Sequence, residues 1–524
     1  MAALVRKTPY LAFVLCCLFS CSYKNGGGNT SVSSGKNVLR VQLTTEPISL
    51  DPAEVEDGVG LRLITQLDEG LAGYDAQGHV LLQLAESFDV TQQGKHFEFK
   101  LKPGLKWSDG VSVQIQDFVF GIRRAIDPKA ARHSADELKI IQSVKEENGR
   151  LVFDLKESTP YFLHILTLPS ALPVREDVLN KNGGKWNVQN APVTGPFQVA
   201  NYDRGNHLLI ERNPNYYGKQ ANLDGVDFLF IQDESTGLNL FDAGKLDVLT
   251  RVPVADVPRL RKTGLIHSDP YFATYFIGFN ARKAPFQDPD FRRAFSAAIH
   301  RKELVEGLGT GDSPAHFWLP PGILGLDSYP ASAATEVLPE ILNASLKKVR
   351  GEIDKNPKLF DEAIAASFDS GARNSQIMEK IQNDILQELK LKISLTNLDW
   401  KSYVRSIQTD PTPIFRFGWQ AAFADPMTFL NVFRSSSVNN YSGWKNVNYD
   451  RLVAEISKMV PSPERDQKIQ DAQRILVETD AIIAPIFHYV QNHLVAKRVS
   501  GFQVNPFAVV SFKDIKLKGL EPPQ

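Results

Sequence analysis

At 524 residues the chain is too long for a single hydrophobic core, so two or three domains are expected. A content of 43% hydrophobic and 23% charged residues excludes a disordered chain and fits a soluble globular one. A formal net charge of -1 excludes a general binder of polyanions such as nucleic acid.

The N-terminus stands apart from the rest. Arg6-Lys7 is a short basic start, and Pro9 to Phe19 is an apolar run too short to span a bilayer, the pattern of a secretory signal over residues 1–20. It ends in Leu18-Phe19-Ser20-Cys21, which resembles a bacterial lipobox with a bulkier residue than usual at Phe19. The alternative is a plain signal peptide with a coincidental Cys. Residues 21–36 are rich in Gly, Ser and Asn and read as a flexible tether. Cys21 is therefore the expected lipid attachment, whose two acyl chains suffice for stable membrane anchoring. Cys16, Cys17 and Cys21 are the only cysteines, so the mature body has no disulfide.

Asn37 to Leu43 is predicted as a first strand, followed by a loop from Thr45 to Pro52. Gly60 to Gly70 places Leu61, Ile64 and Leu67 on one helical face. After a turn at Gln93-Gly94, Phe97, Phe99 and Leu101 alternate with polar residues, the mark of a half-buried strand. Ser112 to Ile126 is predicted helix and Leu151 to Leu155 strand; this β-rich block, closing near Val174, reads as a compact insertion. Pro192 to Val199 and His207 to Tyr217 read as a hairpin and loop. Val226 to Ile231 follows as a strand, Ser235 to Ala243 as a short helix and Leu246 to Leu249 as a strand.

Pro270 to Asn280 is aromatic and extended. Asp288-Pro289 caps a helix that buries Phe291, Ala294, Phe295, Ala298 and Ile299 and leaves Arg292 and Arg293 outside. Gly307 to Gly311 looks like a phosphate loop but follows a helix, so it is read as a helix end and turn. Asn374-Ser375 opens a helix, and Leu391 to Leu395 alternates as a strand. Arg465 to Glu478 is predicted helix and Ile482 to Val490 an apolar strand. This alternation predicts an α/β domain beyond residue 271, with residues 323–373 unassigned.

Pro413 to Leu430 is the most unusual stretch. Ile414, Phe415, Phe417, Trp419 and Phe423 are large strand formers, with Arg416 set among them. Gly418 lets another backbone approach. Asp425-Pro426 ends the run, and Met427 to Phe433 reads as a short helix. Two readings remain open at this point: a buried strand whose Arg neutralises a structural carboxylate, or the wall of a ligand cleft.

These residues resemble, in order, those of the bacterial extracellular solute-binding proteins of the oligopeptide and dipeptide class. The similar segments are Glu46 to Pro52, Leu84 to Phe88 with Phe97 to Leu101, Trp107 to Gly110 with Asp117 to Val119, and Arg212 to Tyr216. They continue with Lys283 to Ala294, Ala298 to Arg301, Leu319 to Gly322, Phe417 to Trp419 and Asp425 to Leu430. The resemblance implies an α/β, periplasmic-binding-protein-like two-lobe fold of the class II type with a small inserted domain. Lobe I would comprise 37–68, 175–271 and 491–524, the insertion 69–174, and lobe II 272–490. It also implies a monomeric, lipid-anchored receptor on the outer side of a bacterial membrane, in the periplasm or at the cell surface. It would hold a peptide between the lobes and deliver it to ABC permease and ATPase subunits, with no cofactor, no metal and no nucleic acid. Ligand-binding positions matching the family are Glu56, Asp57 and Gly58 on one side and Gly418, Trp419 and Gln420, beside Phe417, on the other. Arg416 matches a position that meets a ligand carboxylate, and Tyr271, Trp400 and Tyr489 match side-chain pockets. Ala422 is a departure: peptide-binding members place an Asp there to capture the ligand's amine. The alternative is therefore the same scaffold with an N-blocked or cell-wall peptide, a sugar or a metal chelate, or a peptide sensor; Glu56 and Asp57 are the candidate substitute acids. A hydrolase has no support, since neither a Gly-x-Ser-x-Gly nor a His-Glu-x-x-His motif occurs.

Overall fold

A computed structural model describes residues 37–130, 133–323 and 340–518; the predicted signal, the tether and Cys21 lie outside the described residues. The frame is one eleven-stranded sheet. Its order is Ile393–Leu398, Ile364–Asp369, Ile414–Gln420, Ile266–Phe279, Ile483–Val495, Val248–Leu249, Val38–Leu43, Gly225–Phe230, His207–Arg212 and Phe197–Asp203, with Ser313–Pro314 pairing Ile483–Val495 off this path.

The two central strands are the longest, at 14 and 13 residues. At about 3.4 Å per residue each spans on the order of 45 Å, enough to serve two lobes. They pair antiparallel in two stretches, Ile266 to Pro270 against Leu494 to Val490 and Thr274 to Gly278 against His488 to Ile483. Between these the register shifts, and Tyr271, Phe272 and Ala273 stand opposite Tyr489 alone. On one side of this irregularity the sheet continues through Val248–Leu249 and Val38–Leu43, and on the other through Ile414–Gln420. The result is a mixed α/β, two-lobe fold.

Beyond the irregularity the sheet is buried on both faces, which is why its strands read as dense apolar runs. Tyr275, Ile277 and Phe487 pack on one side with Phe295 and Ile381. Phe276 and Phe415 pack on the other with Trp318 and Tyr449. The opposite half of the sheet has its own core around Val41, Phe197, Ile210 and Phe228. A separate antiparallel sheet, ordered Ala85–Thr91, His96–Leu101, Arg150–Leu155 and Ile141–Glu147, buries Phe97, Phe99 and Phe153 under Phe118 and Ile122 of helix Ile115–Ala125.

Several sequence expectations are corrected. Arg292 is not outside its helix but 3% exposed. Its Nε donates to the Asp480 carbonyl at 2.6 Å and its Nη1 to the Phe286 carbonyl at 2.5 Å, so backbone acceptors compensate the buried cation. The strand expected to end at Val490 runs on to Val495, because Val490 to Leu494 pair with Pro270 to Ile266, and its polar Gln491 and Asn492 bond the carbonyls of Pro270 and Thr310. The unassigned region contains helix Glu340–Lys355 and strand Ile364–Asp369. Gly309, with φ 63°, closes helix Arg301–Leu308, as a glycine helix end requires.

Candidate ligand-binding site

Strand Ile414–Gln420 sets the geometry. Pairing of Ala273 with Gln420, Tyr275 with Gly418 and Ile277 with Arg416 puts Arg416, Gly418 and Gln420 on one face of the sheet. Tyr489 and Tyr271 join them there. The Tyr271 hydroxyl bonds Gln420 Oε1 at 2.5 Å, and the Arg416 Nη2 donates to the Tyr489 hydroxyl at 3.1 Å. A Cβ on Gly418 would come within 3.3 Å of that same hydroxyl, so the glycine keeps room for it. Burial pushes the Tyr271 phenol up to about 12.

Arg416 is 9% exposed and already has an anionic partner. Its Nη1 donates to Asp369 Oδ1 at 2.5 Å, and the guanidinium lies 4.5 Å from the Tyr275 ring centre. Burial works against the charge, but the neighbouring Tyr489 and Tyr275 phenols and the Asp369 carboxylate together hold Arg416 above its ordinary value. A ligand carboxylate would thus have to share this guanidinium with Asp369. Nearby, Arg373 is stacked 5.3 Å from the Tyr489 ring centre and bonded to Asp312. Asp369, Arg373 and Asp312 escaped sequence reasoning. For Asp369 a signal existed: an apolar run over Ile364 to Phe368 closed by Asp369-Ser370-Gly371.

Phe417 and Trp419 face the opposite way. Phe417 stacks under Trp400, with ring centres 6.1 Å apart and planes inclined by 19°, and Trp400 is 55% exposed, an aromatic platform rather than core. The Trp419 Nε1 donates to the Thr428 carbonyl at 2.9 Å.

Glu56, Asp57 and Gly58 sit on a different element, at the start of helix Gly58–Leu67. Glu56 and Gly58 are exposed. Asp57 caps the helix, its Oδ1 accepting from the Val59 and Gly60 amides at 2.9 and 2.8 Å. The structure does not group these three residues with the face that carries Arg416.

The turn after Gln420 touches residues that flank the smaller sheet in sequence, Tyr74 before it and Tyr161 after it. Ala424 N donates to the Tyr74 hydroxyl at 2.9 Å, and Phe423 stacks on Tyr161 with ring centres 5.8 Å apart. Ala422 is exposed and helps line a cavity of about 370 Å³ with Asp68, Tyr74, Gln83, Asn505 and Phe507. That volume lies within the range of small-ligand sites, roughly 300–1,000 Å³.

Residues 79–441 match the family described as bacterial extracellular solute-binding proteins, family 5 Middle. The chain belongs to this family. Among relatives, the oligopeptide-binding protein OppA of Bacillus subtilis is 27% identical over 533 residues, covering 96% of this chain and 96% of that protein. The structure of the Escherichia coli murein tripeptide binding protein MppA superposes with a TM-score of 0.78 at 25% identity, covering 92% of this chain and 99% of that one. Haemophilus influenzae OppA in complex with the peptide RPPGFSPFR gives 0.77 at 25% identity, covering 92% and 99%. The family is one of solute-binding proteins, and an extended strand face, an exposed aromatic platform and a cavity can serve binding.

Proposed function

We propose that this family 5 protein captures oligopeptides between its lobes and delivers them to the permease and ATPase of an ABC importer. The observation that carries this is near-complete, collinear similarity to oligopeptide-binding proteins. The site adds support: a strand with hydrogen-bonding partners at Gln420 and Tyr271, an aromatic platform at Trp400 and an adjoining cavity. In this reading lobe I comprises 37–68, 175–271 and 491–524, the insertion 69–174, and lobe II 272–490. The register shift at Pro270 to Thr274 is the hinge about which they close. The site comprises Glu56, Asp57 and Gly58 together with Tyr271, Trp400, Arg416, Phe417, Gly418, Trp419, Gln420, Ala422 and Tyr489. Cys21 carries the lipid that anchors a monomeric receptor outside the cytoplasmic membrane.

Mass spectrometry of the purified protein should find co-purifying peptides, and added peptides should raise its melting temperature. A ligand at one hundred times its Kd stabilises by about 2.7 kcal/mol. No stabilisation by a panel of di- to nonapeptides at millimolar concentration would reject the peptide class. Labelling with a radioactive fatty acid tests the anchor, which fails if Cys21→Ala still incorporates label.

A further inference from the structure

The cavity beside Ala422 has an uneven chemistry. Its charged lining is Asp68, Glu69, Asp75, Asp514 and a single cation, Lys513. Most of these are committed elsewhere. Both Glu69 oxygens accept phenols, from Tyr216 and Tyr217, at 2.6 Å. Asp75 accepts from the His79 amide at 2.9 Å and meets its ring nitrogen at 3.2 Å. Lys513 donates to the Tyr216 hydroxyl at 3.3 Å, and Asp514 is exposed.

Asp68 is different. It is 6% exposed, and Thr194 satisfies one oxygen only, its amide and hydroxyl reaching Oδ1 at 3.1 and 3.4 Å. Both of these bonds go to Oδ1, and the side chain lines the cavity. A buried carboxylate half-satisfied in this way is costly unless a cation or a proton meets it. Burial raises its pKa from 3.8 to about 7, so an arriving cation would find an acid poised to ionise.

We propose that Asp68 receives a primary ammonium group of the ligand in this cavity, a role that rests on the peptide reading above. Ala422 and Asp68 line the same cavity, so in this proposal the anion moves from the turn after Gln420 to the end of helix Gly58–Leu67. The ammonium belongs either to the peptide N-terminus or to a lysine-like side chain.

Isothermal titration of wild type and Asp68→Asn with four probes tests this. They are tri-alanine, N-acetyl-tri-alanine, N-acetyl-Ala-Lys-Ala and N-acetyl-Ala-norleucine-Ala. Asn keeps the acceptor for Thr194 and removes the charge. An ammonium-bearing probe should bind wild type and lose about thirtyfold or more in the variant, as expected when a buried charge pair is broken. The neutral probes should differ by less than about threefold between the two proteins. Loss confined to tri-alanine identifies the N-terminal amine, and loss confined to the lysine peptide identifies a side chain. Equal binding of the ammonium probes by both proteins overturns the assignment while leaving peptide binding intact. A wild type that binds none of the four overturns this assignment, and the peptide reading falls with it only where the di- to nonapeptide panel fails as well. If the variant does not fold, the wild type alone decides: an ammonium probe that binds no better than its neutral counterpart overturns the proposal.

Discussion

Asp425→Ala should unpair one of the most buried cations in the protein. Asp425 and Arg465 are 3% and 1% exposed, and Arg465 Nη2 bonds both carboxylate oxygens at 2.8 Å. The remaining support for the guanidinium is weak, a 3.4 Å contact from Nε to the Ile456 carbonyl. Removing one partner of such a pair costs about 3–5 kcal/mol, because the other charge stays buried and unmatched. The unfolding entropy is about 2.1 cal/mol/K per residue, so the roughly 490-residue body from Asn37 loses about 1 °C of Tm per kcal/mol if it unfolds as one unit. A fall of about 3–5 °C is therefore expected by differential scanning calorimetry. The pair Asp425→Ala with Arg465→Met should recover much of it, since no charge is then stranded. Asp425 also accepts from the Met427 amide at 2.9 Å, which holds the turn carrying Ala422 and Phe423, so peptide affinity should fall with stability. A Tm within about 1 °C of wild type, or a double variant worse than the single one, would refute the reasoning.

Asp369→Asn removes the anion that already occupies Arg416. It should lower stability but increase the preference for a free peptide C-terminus over its amide, read by titration; an unchanged preference means Arg416 does not meet the ligand carboxylate. His488 is buried against Thr274 Oγ1 at 2.9 Å, and burial lowers its pKa from 6.5 to about 3. The unfolded chain therefore takes up this proton first, and the stability it opposes is lost as pH falls from 6.5 towards 3, by about 1.4 kcal/mol per unit. Urea midpoints from pH 6 to 5 should fall faster for wild type than for His488→Asn, and parallel curves would contradict a neutral buried ring. Gly195→Ala would set a Cβ 2.6 Å from the Leu67 carbonyl oxygen and 2.9 Å from the Asp68 nitrogen. A loss of about 1–3 kcal/mol is expected by urea unfolding, and a neutral result would mean the neighbouring backbone yields freely.

Much of the fold was legible because local patterns and burial agree. Phe97 and Phe99 alternate with polar residues and sit in a half-covered sheet, and Asp288 caps the helix its sequence announces. The misses share a cause in long-range pairing. Nothing near Arg292 in sequence reveals that the Asp480 carbonyl will meet it, and strand Ile483–Val495 turns polar at Gln491 to His493, so a hydrophobic criterion stops too early. At the site, Arg416 was recognisable as a charge needing a partner, but Asp369 lies 47 residues away, and the strand-end pattern around it does not say which cation it meets. Trp400 shows the opposite limit, since its apolar character says nothing of whether it faces core or solvent.

The placement of these groups bears on how closure could couple to ligand capture. Tyr271 stands within the register irregularity, opposite Tyr489, so the two phenols belong to the segment where the long strands lose their regular pairing. One phenol bonds Gln420 and the other Arg416, both on the strand that ends in the turn at Ala422. A change in backbone angle between Pro270 and Thr274 would alter both hydrogen bonds together, and a ligand that holds them fixed would bias the angle. On the proposed hinge and site, polar groups at this position would report on the ligand and on the backbone angle at once. An apolar junction would pack as well but would carry no such dependence on what occupies the cleft.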